Sequence, residues 1–217
     1  MSSVSFQPQK PASRNTRDAI KCIVSDMLIR NGYRGTTMSK IAKETGTTTT
    51  NIFYHFQSKD GVIDEVVRDY VEHTLEVHGA IWRDSSMTLQ DKIYKVIEFN
   101  RSRYLKFNPS GESGNPWSLI ARLRLETDVI STDSQRQLSY FSEALYNLVT
   151  EAIKIALANG ELIEKVVSKE AAMVIAMVIN SSAQFSTEKG SFRELENLVA
   201  VVSKMFFDAY GKNVGKE

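Results

Sequence analysis

Residues 37–59 read TMSKIAKETGTTTTNIFYHFQSK, and this stretch decides the fold. Thr37 carries a short hydroxyl side chain suited to capping a short helix, Met38–Thr45. Gly46 follows as a tight turn, and a second short helix is predicted from Thr48 to Phe56. Two short helices joined by a turn that contains glycine fit a helix-turn-helix. Ala42 is small enough to let them approach closely. Ile41, Ile52, Phe53 and Phe56 are expected to form the little core behind them. Ser58 is then placed to cap a long helix from Lys59 towards Trp82.

That arrangement leaves Thr48, Thr49, Thr50, Asn51, Tyr54 and His55 on the outer side of the second helix. Their chemistry suits the major groove of DNA. Threonine hydroxyls pair with donors or acceptors on base edges, the threonine methyl meets the thymine methyl, and Asn pairs bidentately with adenine. Tyr54 and Lys59 are suited to phosphates, which position a protein without reading sequence. The N-terminus after Ser58 offers backbone N–H groups to another phosphate. Against this, Thr47–Thr50 is a run of four β-branched residues, each slightly worse than Ala in a helix. The competing reading is a loop or strand edge, and the flanking sequence decides between them.

Upstream, Ile20, Ile23, Val24, Met27 and Leu28 recur with the spacing of an amphipathic helix that starts near Asn15 and stops at Asn31-Gly32. Cys22, the single cysteine, has apolar flanks and is expected in the core. Residues 1–13, with Pro8 and Pro11, read as a disordered tail.

From Thr16 to Val62 the chain resembles, without a gap, the DNA-binding domain of the TetR family of repressors. The residues that carry the likeness are Arg17 with Ile20, Gly32-Tyr33, Thr36-Thr37, Ile41-Ala42, Gly46, the run Ile52-Phe53-Tyr54-His55-Phe56, and Lys59. The resemblance implies a recognition helix over Thr48–His55, with Tyr54 and Lys59 on phosphates and Thr37 near the DNA backbone. It also implies a dimer on a palindromic double-stranded operator, an effector-binding and dimer-forming domain from about residue 66, and repression as the usual outcome. This chain departs from the family at Ile23-Val24, where two alanines are frequent, and at Thr47, whose hydroxyl needs a partner. No Lys or Arg lies in Thr47–His55, so bidentate reading of guanine by this helix is not expected, and the operator is expected to lean towards A·T.

The remainder is also read as helical, giving an all-α fold of about nine helices. Its parts are a tail (1–13), a helix-turn-helix domain (14–65) and a larger effector-binding and dimerisation domain (66–217). Residues Asn108–Pro116 hold two Gly, two Pro, two Ser and two Asn and mark a loop. Trp117–Ile130 reads as a short helix, and a long stripe from Leu138 is closed by Asn159-Gly160. Ala171–Phe185 and Phe192–Tyr210 are apolar over more than one face, so each needs burial on both sides. Val178, Leu195, Leu198, Val202 and Phe206 are candidates for packing against a twin. Phe99, Arg103, Tyr104, Trp117, Phe141, Met177, Asn180 and Gln184 are candidates for lining an effector pocket. Met177, Asn180 and Gln184 stand out because polar groups on an apolar helix need partners. Arg103, Arg122 and Arg124 are candidates for holding an anionic group.

Charge is divided unevenly. Residues 1–60 hold nine Lys or Arg against four acids, and the rest holds 18 against 22, so a basic head sits on an acidic body. A basic head suits a polyanion. No apolar run approaches a membrane span, and no leader peptide is read at the start, so a cytoplasmic protein is expected. One cysteine excludes an internal disulfide. Of the three histidines, His55 belongs to the helix-turn-helix, and His73 and His78 are poorly spaced for a shared metal. No HExxH, phosphate-cradling glycine loop or serine elbow occurs, so neither an enzyme, a metal nor a cofactor is expected. The remaining rival is a DNA-binding protein controlled by a protein partner or by nothing.

Overall fold

Short polar side chains set where most helices begin in the computed structural model, which describes residues 13–212 and their side chains from Thr16. The expected tail thus lies, but for Ser13, outside the described residues. Those residues form nine helices: α1 (Ser13–Gly35), α2 (Met38–Glu44), α3 (Thr49–Phe56), α4 (Lys59–Trp82), α5 (Leu89–Phe107), α6 (Leu119–Arg124), α7 (Thr132–Ala158), α8 (Ser168–Lys189) and α9 (Phe192–Tyr210). Thr37, Thr48, Ser58, Thr88, Ser118 and Ser131 each accept a hydrogen bond from a backbone N–H in the first turn of the helix that follows. Each such cap contributes about 1 kcal/mol.

The long helix α4 is the axis of the molecule. It packs on α1 near its start and on α7 along its length, and α7 in turn packs on α8. Val62, Ile63, Val66, Val67, Val71 and Trp82 of α4 are buried in a core continuous from Ile20 of α1 to Val199 of α9. Burying each such aliphatic side chain contributes about 1.5–3 kcal/mol. A single antiparallel bridge, Leu162 with Gly211, ties the end of α9 to the turn after α7.

Four expectations change. Cys22 is exposed. Ile20 and Val24 face the core one turn apart, and Cys22 lies halfway round the helix between them. Residue 32 ends the regular part of α1, with φ 69 and ψ −176 at Gly32, but a further turn runs to Gly35. The helix expected over 117–130 is only Leu119–Arg124. Leu195 is fully buried inside the chain, so it offers no surface to a twin.

The second faces of α8 and α9 are as apolar as the sequence suggests. Met173, Val174 and Met177 on α8, and Val201 and Met205 on α9, are exposed. Val178, Leu198, Val202 and Phe206 are partly buried at the edge of that surface. No helix among the described residues is long and apolar enough to cross a membrane.

Candidate nucleic-acid interface

The helix-turn-helix is held by one arginine. Arg17 of α1 donates from Nη1 to the carbonyl oxygen of His55 at 2.7 Å and from Nε to Glu65 at 3.2 Å. Its guanidinium also stacks 4.6 Å from the centre of the Phe56 ring. One side chain thereby joins α1, the end of α3 and the start of α4. Ile41, Ile52 and Phe56 are buried behind the motif. Gly61 lies so close to the Phe56 carbonyl that a β-carbon there would collide with it, which sets the tight corner between α3 and α4.

The opposite side of α3 is open. Thr48, Thr50 and Tyr54 are exposed, Tyr54 at 82%, while Thr49, Asn51 and His55 are partly buried. Phe53, expected in the core, is 48% exposed. Measured from Ile52 and Phe56, it lies about a quarter-turn round the helix, beside Thr49 and Thr50. It is an addition to the candidate face, and a helical wheel started at Thr49 would have found it. Thr48 is the cap of α3 rather than its first residue. The hydroxyl of Thr47 has the partner it needs, since Asn51 Nδ2 donates to it at 2.8 Å. This bond uses one of the two Nδ2 hydrogens, so the Asn51 amide keeps a donor and its Oδ1 acceptor for a base edge.

Lys59 is placed differently from the expectation. Its Nζ donates to the Tyr33 carbonyl at 2.8 Å and lies 3.6 Å from the centre of the Tyr33 ring. Burial lowers its pKa from the ordinary lysine value. In this arrangement the amine joins α4 to the end of α1 and is not extended towards a phosphate. Thr37 is exposed and caps α2.

A second site lies within the helices beyond the motif. A small cavity of about 30 Å³ is lined by Thr74 and His78 of α4, Asn100 and Arg103 of α5, Arg124 of α6, Phe141 of α7 and Asn180 of α8, with Trp117 and Ser118 before α6. The structure therefore brings Arg103, Trp117, Phe141 and Asn180 together. Phe99 stands just outside, packed on His78. Three candidates do not join them. Tyr104 is buried and anchors the 108–116 loop, donating to the Ser113 carbonyl at 2.6 Å. Met177 is 64% exposed, and Gln184 is exposed and donates to Glu188. Met177 and Gln184 are a turn away from Asn180, but the drift of the helical stripe carries both to its outer edge. Conversely, Thr74, His78 and Asn100 were missed. A buried polar residue on an otherwise apolar stripe was the available signal for His78. Burial pushes its pKa down to about 4. Its Nδ1 accepts from Trp82 Nε1 at 3.4 Å, which puts the ring proton on Nε2.

Residues 25–66 match the family model described as bacterial regulatory proteins, tetR family. That segment is the DNA-binding part of a TetR-family regulator by sequence. The chain is 34% identical over 65 residues to the transcriptional repressor KstR2 of Mycolicibacterium smegmatis, a match covering 30% of this chain and 31% of that one. It is 26% identical over 94 residues to the transcriptional regulator QacR of Staphylococcus aureus, covering 43% and 44%. These alignments span less than half the length of either curated relative. Fold similarity reaches further. A TetR-family regulator from Agrobacterium tumefaciens superposes with a TM-score of 0.77 at 16% identity, covering 88% of this chain and 97% of its own. A regulator from Saccharomonospora viridis, solved in complex with choline, gives 0.71 at 16% identity, covering 93% and 100%. The nine-helix arrangement of the described residues thus shares its fold with these regulators over most of the chain, while the family model matches residues 25–66.

Proposed function

We propose that the chain is a ligand-responsive transcriptional repressor that binds a palindromic operator as a dimer and releases it when a small molecule occupies the internal cavity. The head is assigned to residues 14–65, the sensing and dimer-forming body to residues 66–217, and the site of action to the cytoplasm. The observation that carries the reading is the outer face of α3. Thr48, Thr50 and Tyr54 stand exposed opposite a buried Ile52 and Phe56, on a helix fixed from behind by Arg17. A rigid helix with neutral hydrogen-bonding side chains suits base edges, and Thr37, Tyr54 and the start of α4 suit phosphates.

The exposed apolar faces of α8 and α9 support the dimer. A groove between them, lined by Val174, Val202, Met205 and Phe206, is the kind of surface that a twin buries. Two recognition helices then meet two half-sites about 34–36 Å apart or a multiple of that. Ligand response is supported by α4, whose first turn begins at the DNA-facing corner and whose His78 lines the cavity about 28 Å further along. A ligand that binds better to another tilt of α4 must weaken DNA binding by reciprocal linkage.

The small cavity volume favours a second reading, in which the body senses a protein partner or nothing. Mapping every genomic site occupied by the protein, at stated salt, tests the main reading. A few sharp sites with inverted, A·T-leaning half-sites are expected. Diffuse occupancy would refute a specific regulator, and G·C-rich half-sites would refute the account of base reading.

A further inference from the structure

The cavity is small, but its wall is chemically lopsided. Two guanidinium groups, from Arg103 and Arg124, face it, and no Asp or Glu lines it. Among the described residues, neither arginine has a carboxylate within ion-pair distance. Arg103 donates to the Tyr70 hydroxyl and lies 4.8 Å from the Tyr70 ring centre, 5.2 Å from Phe99 and 5.6 Å from Trp117. Arg124 donates from Nη1 to Asn180 Oδ1 at 3.2 Å and from Nη2 to the Ser142 hydroxyl. These neutral partners orient the cations without neutralising them. The other titratable group on the wall, His78, adds no negative charge in either protonation state.

Withdrawing a cation from water is costly unless an anion meets it. Most of the other arginines described here satisfy that rule on a carboxylate: Arg17 on Glu65, Arg34 on Asp128, Arg122 on Glu126. We infer that the cavity binds an organic monocarboxylate with a compact apolar body, its carboxylate held between Arg103 and Arg124. The planar fork of arginine matches a carboxylate with two parallel hydrogen bonds. Trp117, Phe141 and Ile179 supply the apolar wall. Burial pushes Arg103 down only to about 10, so it stays charged at neutral pH.

The present volume holds about one water molecule, so an organic anion must enlarge it. The space is available next door. A surface groove of about 180 Å³ between α6 and α8 shares Trp117, Ser118, Ala121 and Ala183 with the cavity wall. Displacing the Trp117 indole, which donates to Ser186 at 3.0 Å, would merge the two.

The inference rests on the sensing role assigned to this cavity. Its test is calorimetric titration of the full chain, at neutral pH and constant ionic strength, with benzoate, hexanoate, their amides and hexylamine. At least one carboxylate should bind at millimolar concentration or below, tenfold or more tighter than its amide and the amine. The benzoate and hexanoate arms separate an aromatic from an aliphatic body. Arg124→Gln should weaken the preferred carboxylate tenfold or more, and Arg124→Lys should recover part of the loss. Arg136→Gln removes a cation paired with Asp133 on the surface and should change nothing. Circular dichroism of each variant separates lost binding from lost folding. An amide or amine that binds as tightly, failure of both carboxylates at millimolar concentration, or indifference to Arg124→Gln in a folded protein would overturn the inference. A carboxylate that binds through Arg124 yet leaves specific DNA binding unchanged would instead refute the sensing role alone.

Discussion

Replacing Gly32 and Glu126 singly and together should give strongly non-additive losses of stability. Gly32 has φ 69 and ψ −176, a region open essentially to glycine. Holding another residue there costs of order 1–3 kcal/mol. A β-carbon would also collide with the carboxylate of Glu126, which is 6% exposed and accepts from the Arg34 backbone N–H at 3.0 Å. A hydrogen bond to a charged acceptor contributes about 1.5–3 kcal/mol. Gly32→Ala alone should lose both contributions. Glu126→Ala alone should lose the hydrogen bond and leave Arg122, 3.5 Å away, without its carboxylate. In the double variant no carboxylate remains to be displaced, so the additions are the backbone strain and a shift of the flexible end of Arg122, whose Nη2 would lie 2.9 Å from the β-carbon. The two single losses should therefore exceed the double loss by about 1.5–3 kcal/mol, the hydrogen bond having been counted twice. Urea unfolding followed by circular dichroism measures this. Protein concentration must be held fixed, because self-association would make stability depend on it. Additivity within about 0.5 kcal/mol would show that the Gly32 backbone and the Glu126 carboxylate do not compete for the same space.

Tyr54→Ala should weaken DNA binding similarly on all sequences, with stability changed by less than about 0.5 kcal/mol, because the side chain is 82% exposed; a stability loss beyond that would show that the ring is structural. Lys59→Met should lower the unfolding midpoint and leave the salt dependence of DNA binding unchanged, since the amine is engaged with Tyr33; a salt slope reduced by about one would place it on a phosphate. His78 titrates at about 4 when folded against 6.5 ordinarily. The unfolded chain therefore takes up the proton first, and stability present above pH 6.5 should be lost as pH falls towards 4, by about 3 kcal/mol in all. Urea unfolding of His78→Gln across that window should show a flatter pH dependence; an unchanged slope would assign the loss to other groups. Cys22 should react with a thiol reagent in the native protein without denaturant, and protection of the thiol would contradict its exposure.

The helix-turn-helix was legible because its signals are local. Thr37, Gly46 and Ser58 mark ends by their own side-chain or backbone chemistry, and the helices they bound agree with the expectation to within a residue or so. The threonine run did not defeat α3, because Ile52 and Phe56 bury one turn apart and packing outweighs a few tenths of a kcal/mol per residue. Phe53 and Cys22 were misplaced for one reason. Each is apolar and lies next to an apolar residue, Phe53 beside Ile52 and Cys22 beside Ile23, and only the helix's rotation decides which residues turn inward.

The cavity was legible in its chemistry and not in its membership. Asn180 is visible as a polar group on an apolar helix, and Arg103 and Arg124 as candidate anion partners, whereas Met177 and Gln184 share the helix of Asn180 without sharing its direction. What the sequence by itself determined is the all-helical architecture, the recognition motif and the two apolar faces of α8 and α9, because periodicity and capping act over a few residues. Only the tertiary structure decided that Lys59 serves Tyr33, that Glu126 of one helix end receives Arg34 of another, and that two arginines converge without an acid. Those are contacts between segments 26, 92 and about 20 residues apart, and nothing local to either partner specifies them.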